Sequence, residues 1–284
     1  MSRTLAGLGR SVPRNLWTLE RFGLSPGKLR YRISDPGAPR VFMVSIPKAG
    51  THLLERALCL HPQLYRKLLP TIDRADVARR GGFDRLMGSI RPGQVVVSHL
   101  RFDQTYGDTL RRRGVHGLFL IRDPHDVVVS QVHYVAKRDD HQFHKLFMAR
   151  ADPREKLRLA ITGDATHGLP SIGDRLDYFA GWLDSGCRVV RFEDLVGPGG
   201  GGSAEAQEAA VASVFRGIGL ATDGPLVGSI CRRLFSTDSP TFRKGSIGGW
   251  RDAFDPELEQ LFDEVVGDRA ARYGPASEAG PASL

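Results

Sequence analysis

The chain has 284 residues and a formal net charge of +8, from 40 Lys and Arg against 32 Asp and Glu. Apolar residues make up 41% and charged residues 25%, proportions of a soluble globular chain with a substantial core, and no apolar run approaches the ~18 residues that cross a bilayer. The basic excess favours an anionic ligand or surface, of which polymeric nucleic acid is only one kind.

Residues 1–23 carry Arg near both ends but lack the apolar core of about 7–15 residues that a secretory signal needs. Leu16, Leu19 and Phe22 are spaced for a short amphipathic helix, expected to pack on the body of the protein in preference to a membrane. The segment 41–46, VFMVSI, predicts a strand, and Leu53, Leu54, Ala57, Leu58 and Leu60 predict a helix just after it. Two more apolar runs, 95–98 and 116–121, suit strands buried on both faces. Val128, Val132 and Val135 then follow Asp123-Pro124 at helical spacing. Segment 187–192 predicts another strand, 205–218 and 256–271 predict helices, and the glycines of 197–210 predict a flexible loop. Strands alternating with helices predict an α/β fold with a mainly parallel central sheet flanked by helices and its sites at the strands' C-terminal ends. The expected division is an N-terminal extension over 1–34, one domain over 35–273 and a disordered tail over 274–284. Cys59, Cys187 and Cys231 are too few and scattered for a disulfide framework or a zinc site, so a reducing cytoplasm is expected.

Three segments are suited to anions. In the first, Pro47-Lys48-Ala49-Gly50-Thr51-His52-Leu53 lies where a strand gives way to a helix. Backbone N–H groups converge at such a junction and Lys48 and Thr51 add a charge and a hydroxyl, although a plain strand–helix turn has the same look. The Walker pattern is absent, because Lys48 precedes Gly50. The second is Arg122-Asp123-Pro124-His125-Asp126 through Ser130, where an Arg fork and a hydroxyl can meet one phosphate. The third runs from Phe242 through Arg243, Lys244, Gly245 and Ser246 to Trp250 and Arg251, readable as an anion-closing loop or as a merely basic one.

Together these segments, PKAGTHL, RDPHDVVVS and FRKGSIGGWR, resemble the sulfotransferases that use 3′-phosphoadenosine 5′-phosphosulfate (PAPS), whose motifs are PKSGTT, RDPRDVxxS and FRKGxxGDWK in the same order. The resemblance spans about residues 41–251 and implies a P-loop-like sulfotransferase fold, PAPS as donor and adenosine 3′,5′-bisphosphate (PAP) as product. It implies donor contacts from Lys48, Ala49, Gly50, Thr51, His52 and Leu53 around the 5′ phosphosulfate. Arg122, Ser130, Arg243, Lys244 and Gly245 are implied at the 3′-phosphate. His99 matches the His of the family's KTH triplet, the general base, while Val97 stands where the family has Lys. Lys48 and His99 are therefore the expected catalytic pair, with a carboxylate in an acceptor loop as the other possible base. Leu53 replaces the aromatic residue that stacks on adenine, leaving Phe192 and Phe235 as candidate rings that core packing would equally explain.

The rival readings are a small-molecule kinase with a degenerate phosphate loop and a non-catalytic nucleotide-binding module. Neither nucleic acid nor a metal is expected, and His133, His141 and His144 read as a polar helix or an acceptor-site wall. The acceptor, a small molecule, sugar or lipid hydroxyl, is expected among 61–94, 133–180 and 221–241, with peripheral membrane contact the less favoured partner.

Overall fold

The structure, a computed structural model, describes residues 16–234 and 245–274. Among these residues, five strands form one sheet: β1 (Arg40–Ser45), β2 (Tyr65–Arg66), β3 (Gln94–Ser98), β4 (Val115–Ile121) and β5 (Arg188–Arg191). Their order is β2-β3-β1-β4-β5, and every neighbouring pair is parallel. Val41, Phe42, Met43 and Val44 of β1 are wholly buried. A central parallel strand is covered on both faces, so it reads as a continuous apolar run instead of an alternation. Parallel neighbours need long crossovers, supplied here by helices such as Thr51–Leu60, Gln104–Arg113 and Pro124–Ala136. The register pairs Val44 with Ser98 and Ser45 with Leu120, so β1, β3 and β4 end nearly level.

Four expectations change. Residues 16–21 are helical, but Leu16 and Leu19 are 61% and 40% exposed, and it is Trp17 that packs toward the core, with Arg56 4.5 Å from its ring centroid. The next segment is tied down by Lys28, a buried ammonium that donates to the carbonyls of Cys59 and Leu64. The strand expected over 187–192 stops at Arg191, because Phe192 opens a short helix, Phe192–Leu195. The helix expected over 256–271 is two, Pro256–Val266 and Arg269–Tyr273, separated where Gly267 takes a positive φ of 53°. The glycine-rich segment is a packed turn: Gly200 is buried, its carbonyl accepts from the Ile247 N–H at 2.9 Å, and a Cβ there would collide with the Gly245 carbonyl. The tail expected to be disordered lies, beyond Gly274, outside the described residues.

Glu55 is a buried carboxylate between three partners. Arg66 Nη1 lies 2.7 Å from it, Arg21 pairs with its other oxygen, and His52 Nδ1 is 3.5 Å away. Burial raises its pKa, but the His52 hydrogen bond and the Arg66 and Arg21 charges outweigh burial and pull it down to about 2. A lowered carboxylate pKa stabilises the fold above its unfolded value, and that stabilisation is lost as pH falls toward the folded one. From 4.5 to about 2 the shift corresponds to about 3 kcal/mol. Glu55→Gln is therefore expected to lower stability by about 3 kcal/mol near neutral pH, the gap closing between about pH 4.5 and 2. Urea unfolding across that range measures it, and a gap independent of pH would contradict the assignment.

Candidate active site

The first two anion-suited segments and the expected base leave the sheet at strands' C-terminal ends. Across β3-β1-β4-β5, those exits carry His99, the Lys48 loop, Arg122 and Phe192 in spatial order. Chain order reverses at β1, whose neighbours are β3 and β4, and such switch points open crevices for ligands in parallel sheets.

The loop after β1 turns sharply. Lys48 adopts φ 77° and Gly50 φ 100°, both in the left-handed region. A Cβ on Gly50 would collide with the Phe192 ring, so glycine is required there on two counts. Gly50 caps the helix Thr51–Leu60 without a side-chain hydrogen bond. The first N–H groups of that helix are thus left for an anion in the loop. Lys48 Nζ lies 3.6 Å from the centroid of the Tyr134 ring. Burial first, then the charges of Arg122, Arg175 and Arg138, bring its pKa down to about 8. Ala49 is wholly buried, Leu53 packs on the core, and His52 is exposed toward Glu55.

His99 is held from below by β1. Its Nδ1 is 2.9 Å from the Ser45 carbonyl oxygen and 3.2 Å from Ser45 Oγ, which in turn is 2.8 Å from Thr51 Oγ1. A carbonyl can only accept, so Nδ1 carries the proton and Nε2 keeps its lone pair. Burial chiefly lowers the imidazole pKa, favouring the neutral ring that a base requires. Ser45 thus sets the tautomer of His99 and touches Thr51 of the first loop.

Arg122 leaves β4 with its guanidinium 4.2 Å from the Phe192 ring centroid, one Nη donating to the Ser246 carbonyl at 2.8 Å. Its Nε is buried and meets no hydrogen-bond partner among the described residues. An orphaned cationic donor is what an anion would satisfy. Asp126 lies 3.4 Å from Arg122 and accepts the N–H groups of Gly248 and Trp250 at 2.9 and 3.2 Å, fastening the third segment over the second. Ser130 is half-buried one turn beyond Asp126 on the same helix face. His125 turns away from this face: its ring stacks on Trp250 and Phe262, and Asp123 accepts at its Nδ1. Phe192 is buried between Gly50 and Arg122. Gly245 is described, whereas Phe235, Arg243 and Lys244 lie outside the described residues.

A cavity of about 240 Å³ is lined by both Lys48 and His99. Of the segments expected around the acceptor, 133–180 lines it, through Tyr134, His141, Phe143 and Tyr178 among others. Neither 61–94 nor the described part of 221–241 does: the first forms β2 and two short helices after it, and the second packs as the helix Gly224–Leu234 against the helix Thr51–Leu60. His141 stands in the wall, while His144 bonds the Val135 carbonyl. Among the described residues no three His, Cys, Asp or Glu side chains form a metal-holding group, and no described helix is long and apolar enough to cross a membrane.

Sequence reasoning passed over four residues that build the site: Ser45, Asp126, Glu193 and Arg175. Glu193 accepts the Asp123 N–H at 2.9 Å, linking the β5 exit to the β4 exit. Arg175 is buried and donates to Gln131 and to the Pro47 carbonyl of the first loop. Ser45 and Asp126 had a signal, one as a polar residue closing an apolar strand, the other four residues beyond Arg122.

The chain matches no protein-family model and no curated protein sequence. Solved structures do resemble it. Mouse sulfotransferase SULT7A1 complexed with PAP superposes with a TM-score of 0.60 at 18% identity, covering 86% of this chain and 88% of its own. Retinol dehydratase in complex with androsterone and the inactive cofactor PAP gives 0.52 at 15% identity, covering 86% and 85%. Retinol dehydratase with retinol and PAP gives 0.52 at 17%, covering 82% of each. The parallel sheet, its strand-end loops and these superpositions together place the chain in the sulfotransferase fold.

Proposed function

We propose that this chain is a PAPS-dependent sulfotransferase that moves a sulfuryl group to the hydroxyl of an acceptor small enough for the cavity beside Lys48. The observation that carries this reading is that Lys48 and His99 line one cavity, Lys48 in the loop that leads into a helix N-terminus with no side-chain cap. The orphaned Nε of Arg122 and the loop fastened above it by Asp126 supply a second anion position, as a nucleotide with phosphates at both 3′ and 5′ carbons requires. That the solved relatives in fold hold PAP supports the same donor.

In this reading the acceptor hydroxyl gives its proton to His99 Nε2 as its oxygen bonds to the sulfur. The bond from sulfur to the bridging oxygen breaks, and the electron pair passes to that oxygen. Lys48 stabilises the charge developing there, and the released nucleotide stays paired with Arg122, Ser130 and the segment containing Arg243 and Lys244. Such transfers leave little covalent work to a protein, so positioning and electrostatics carry the rate.

The test offers a library of hydroxyl compounds together with PAPS radiolabelled in its sulfuryl group. Labelled organic sulfate is expected, with one PAP released per transfer. Phosphorylated product from ATP and the same acceptors would overturn the reading in favour of a kinase, and donor binding without turnover would favour a binding module.

A further inference from the structure

Resting on the sulfotransferase reading, we infer that the acceptor is an apolar or aromatic hydroxyl compound bearing a carboxylate, and that Arg101 reads this carboxylate. The cavity beside Lys48 and His99 is also lined by Arg101, His141 and Arg175, and among the described residues no Asp or Glu lines it. Its protonatable wall is therefore cationic or neutral throughout. The buried Arg175 donates to Gln131 Oε1 and to the Pro47 carbonyl, both uncharged. Two guanidinium charges thus line one cavity to which no described Asp or Glu contributes, so an entering anion meets no competing carboxylate.

Their places differ. Arg175 lies under the first loop and is committed to it, whereas Arg101 is exposed where it borders the cavity. The backbone on either side of Arg101 is pinned: Trp182 Nε1 donates to the Leu100 carbonyl at 2.8 Å, and the Phe102 N–H donates to the Tyr178 carbonyl at 2.8 Å. Its guanidinium lies 3.6 Å from the centroid of the Tyr178 ring. Stacking holds the fork in place and leaves its N–H edges for a planar, bidentate anion, at a smaller entropy cost than a free side chain would incur.

The remaining wall, including Tyr134, Phe143, Leu169 and Phe179, suits an apolar or aromatic body. Arg101 follows His99 by two residues, so their Cα atoms are at most about 7 Å apart.

Three probes that share a phenol ring separate charge from shape: para-hydroxyphenylacetate, its uncharged amide, and tyramine. Calorimetric titration near neutral pH, with and without saturating PAP, is expected to show the acid binding at least about 10-fold tighter than the amide, with tyramine weakest. Arg101→Gln is expected to bring the acid within about twofold of the amide, with thermal unfolding confirming the fold. Amide or tyramine binding as tightly as the acid, an acid preference that survives Arg101→Gln, or no binding of the acid at all would each overturn the inference. Titration of PAP itself reports separately on the nucleotide site: its failure would strike the donor assignment, while the probe series without PAP still reads the cavity's charge preference.

Discussion

Replacing His99 by Gln is expected to lower turnover by roughly 10²–10⁴-fold while PAP still binds. Glutamine fills much of the imidazole's volume and can donate to the Ser45 carbonyl, but it has no nitrogen lone pair able to take a proton. The argument rests on the Nδ1 contact of 2.9 Å, which assigns the proton to that nitrogen and the basic lone pair to Nε2. An acceptor of ordinary alcohol acidity should be used, since an acidic phenol needs little help from a base. The pH profile adds an independent readout. Burial lowers the His99 pKa from its usual 6.5, and the neutral ring is the active form. Turnover should therefore rise with pH through a limb lying below 6.5 and be flat by neutrality, and this limb should vanish in His99→Gln. Near-normal turnover in the variant would move the base elsewhere and leave the nucleotide site untouched.

The second large effect belongs to Lys48. Lys48→Met should reduce turnover by about 10²–10³-fold and weaken PAP by much less, because the ammonium matters most when the bridging oxygen becomes negative. Methionine keeps the unbranched stem and places it against Tyr134, so the φ of 77° at this position is no worse served than before. With its pKa brought down to about 8, the ammonium is mostly charged at neutral pH and loses its charge on the alkaline side. Wild-type turnover should accordingly fall as pH rises past about 8, a limb absent from the variant. Equal losses in turnover and in PAP affinity would instead indicate a collapsed loop.

Much of this architecture is legible in the sequence for one physical reason. Strands buried on both faces must be continuously apolar, so β1, β3 and β4 stand out, and the polar residues that interrupt them sit at strand exits, where a parallel sheet gathers its ligands. Lys48 and Arg122 stand out that way, whereas His99, also at such an exit, is singled out by the resemblance to the KTH triplet. The two-residue strand β2 is too short to leave a pattern. Phe192 continues an apolar run yet starts a helix, because its ring is drawn under Gly50 and Arg122. The glycines near 200 suggest looseness, but their missing side chains let the turn approach the Gly245 carbonyl. Arg101 and Arg175 look like two ordinary surface arginines among many. Only the three-dimensional neighbourhood, with Tyr178, Gln131 and Pro47 as their partners, separates them from the rest.

The central claim is that the strand-end loops form one site for a nucleotide carrying phosphates at both its 3′ and 5′ positions. Calorimetric comparison of PAP with adenosine 5′-phosphate tests it most directly. One charge-assisted contact from Arg122 and one or more from the segment containing Arg243 and Lys244 should make PAP bind at least about 100-fold tighter, each contact contributing about 1.5–3 kcal/mol. Arg122→Gln should cut that preference by at least about 10-fold while leaving adenosine 5′-phosphate nearly unaffected. Equal affinity of the wild-type protein for the two nucleotides would contradict the account.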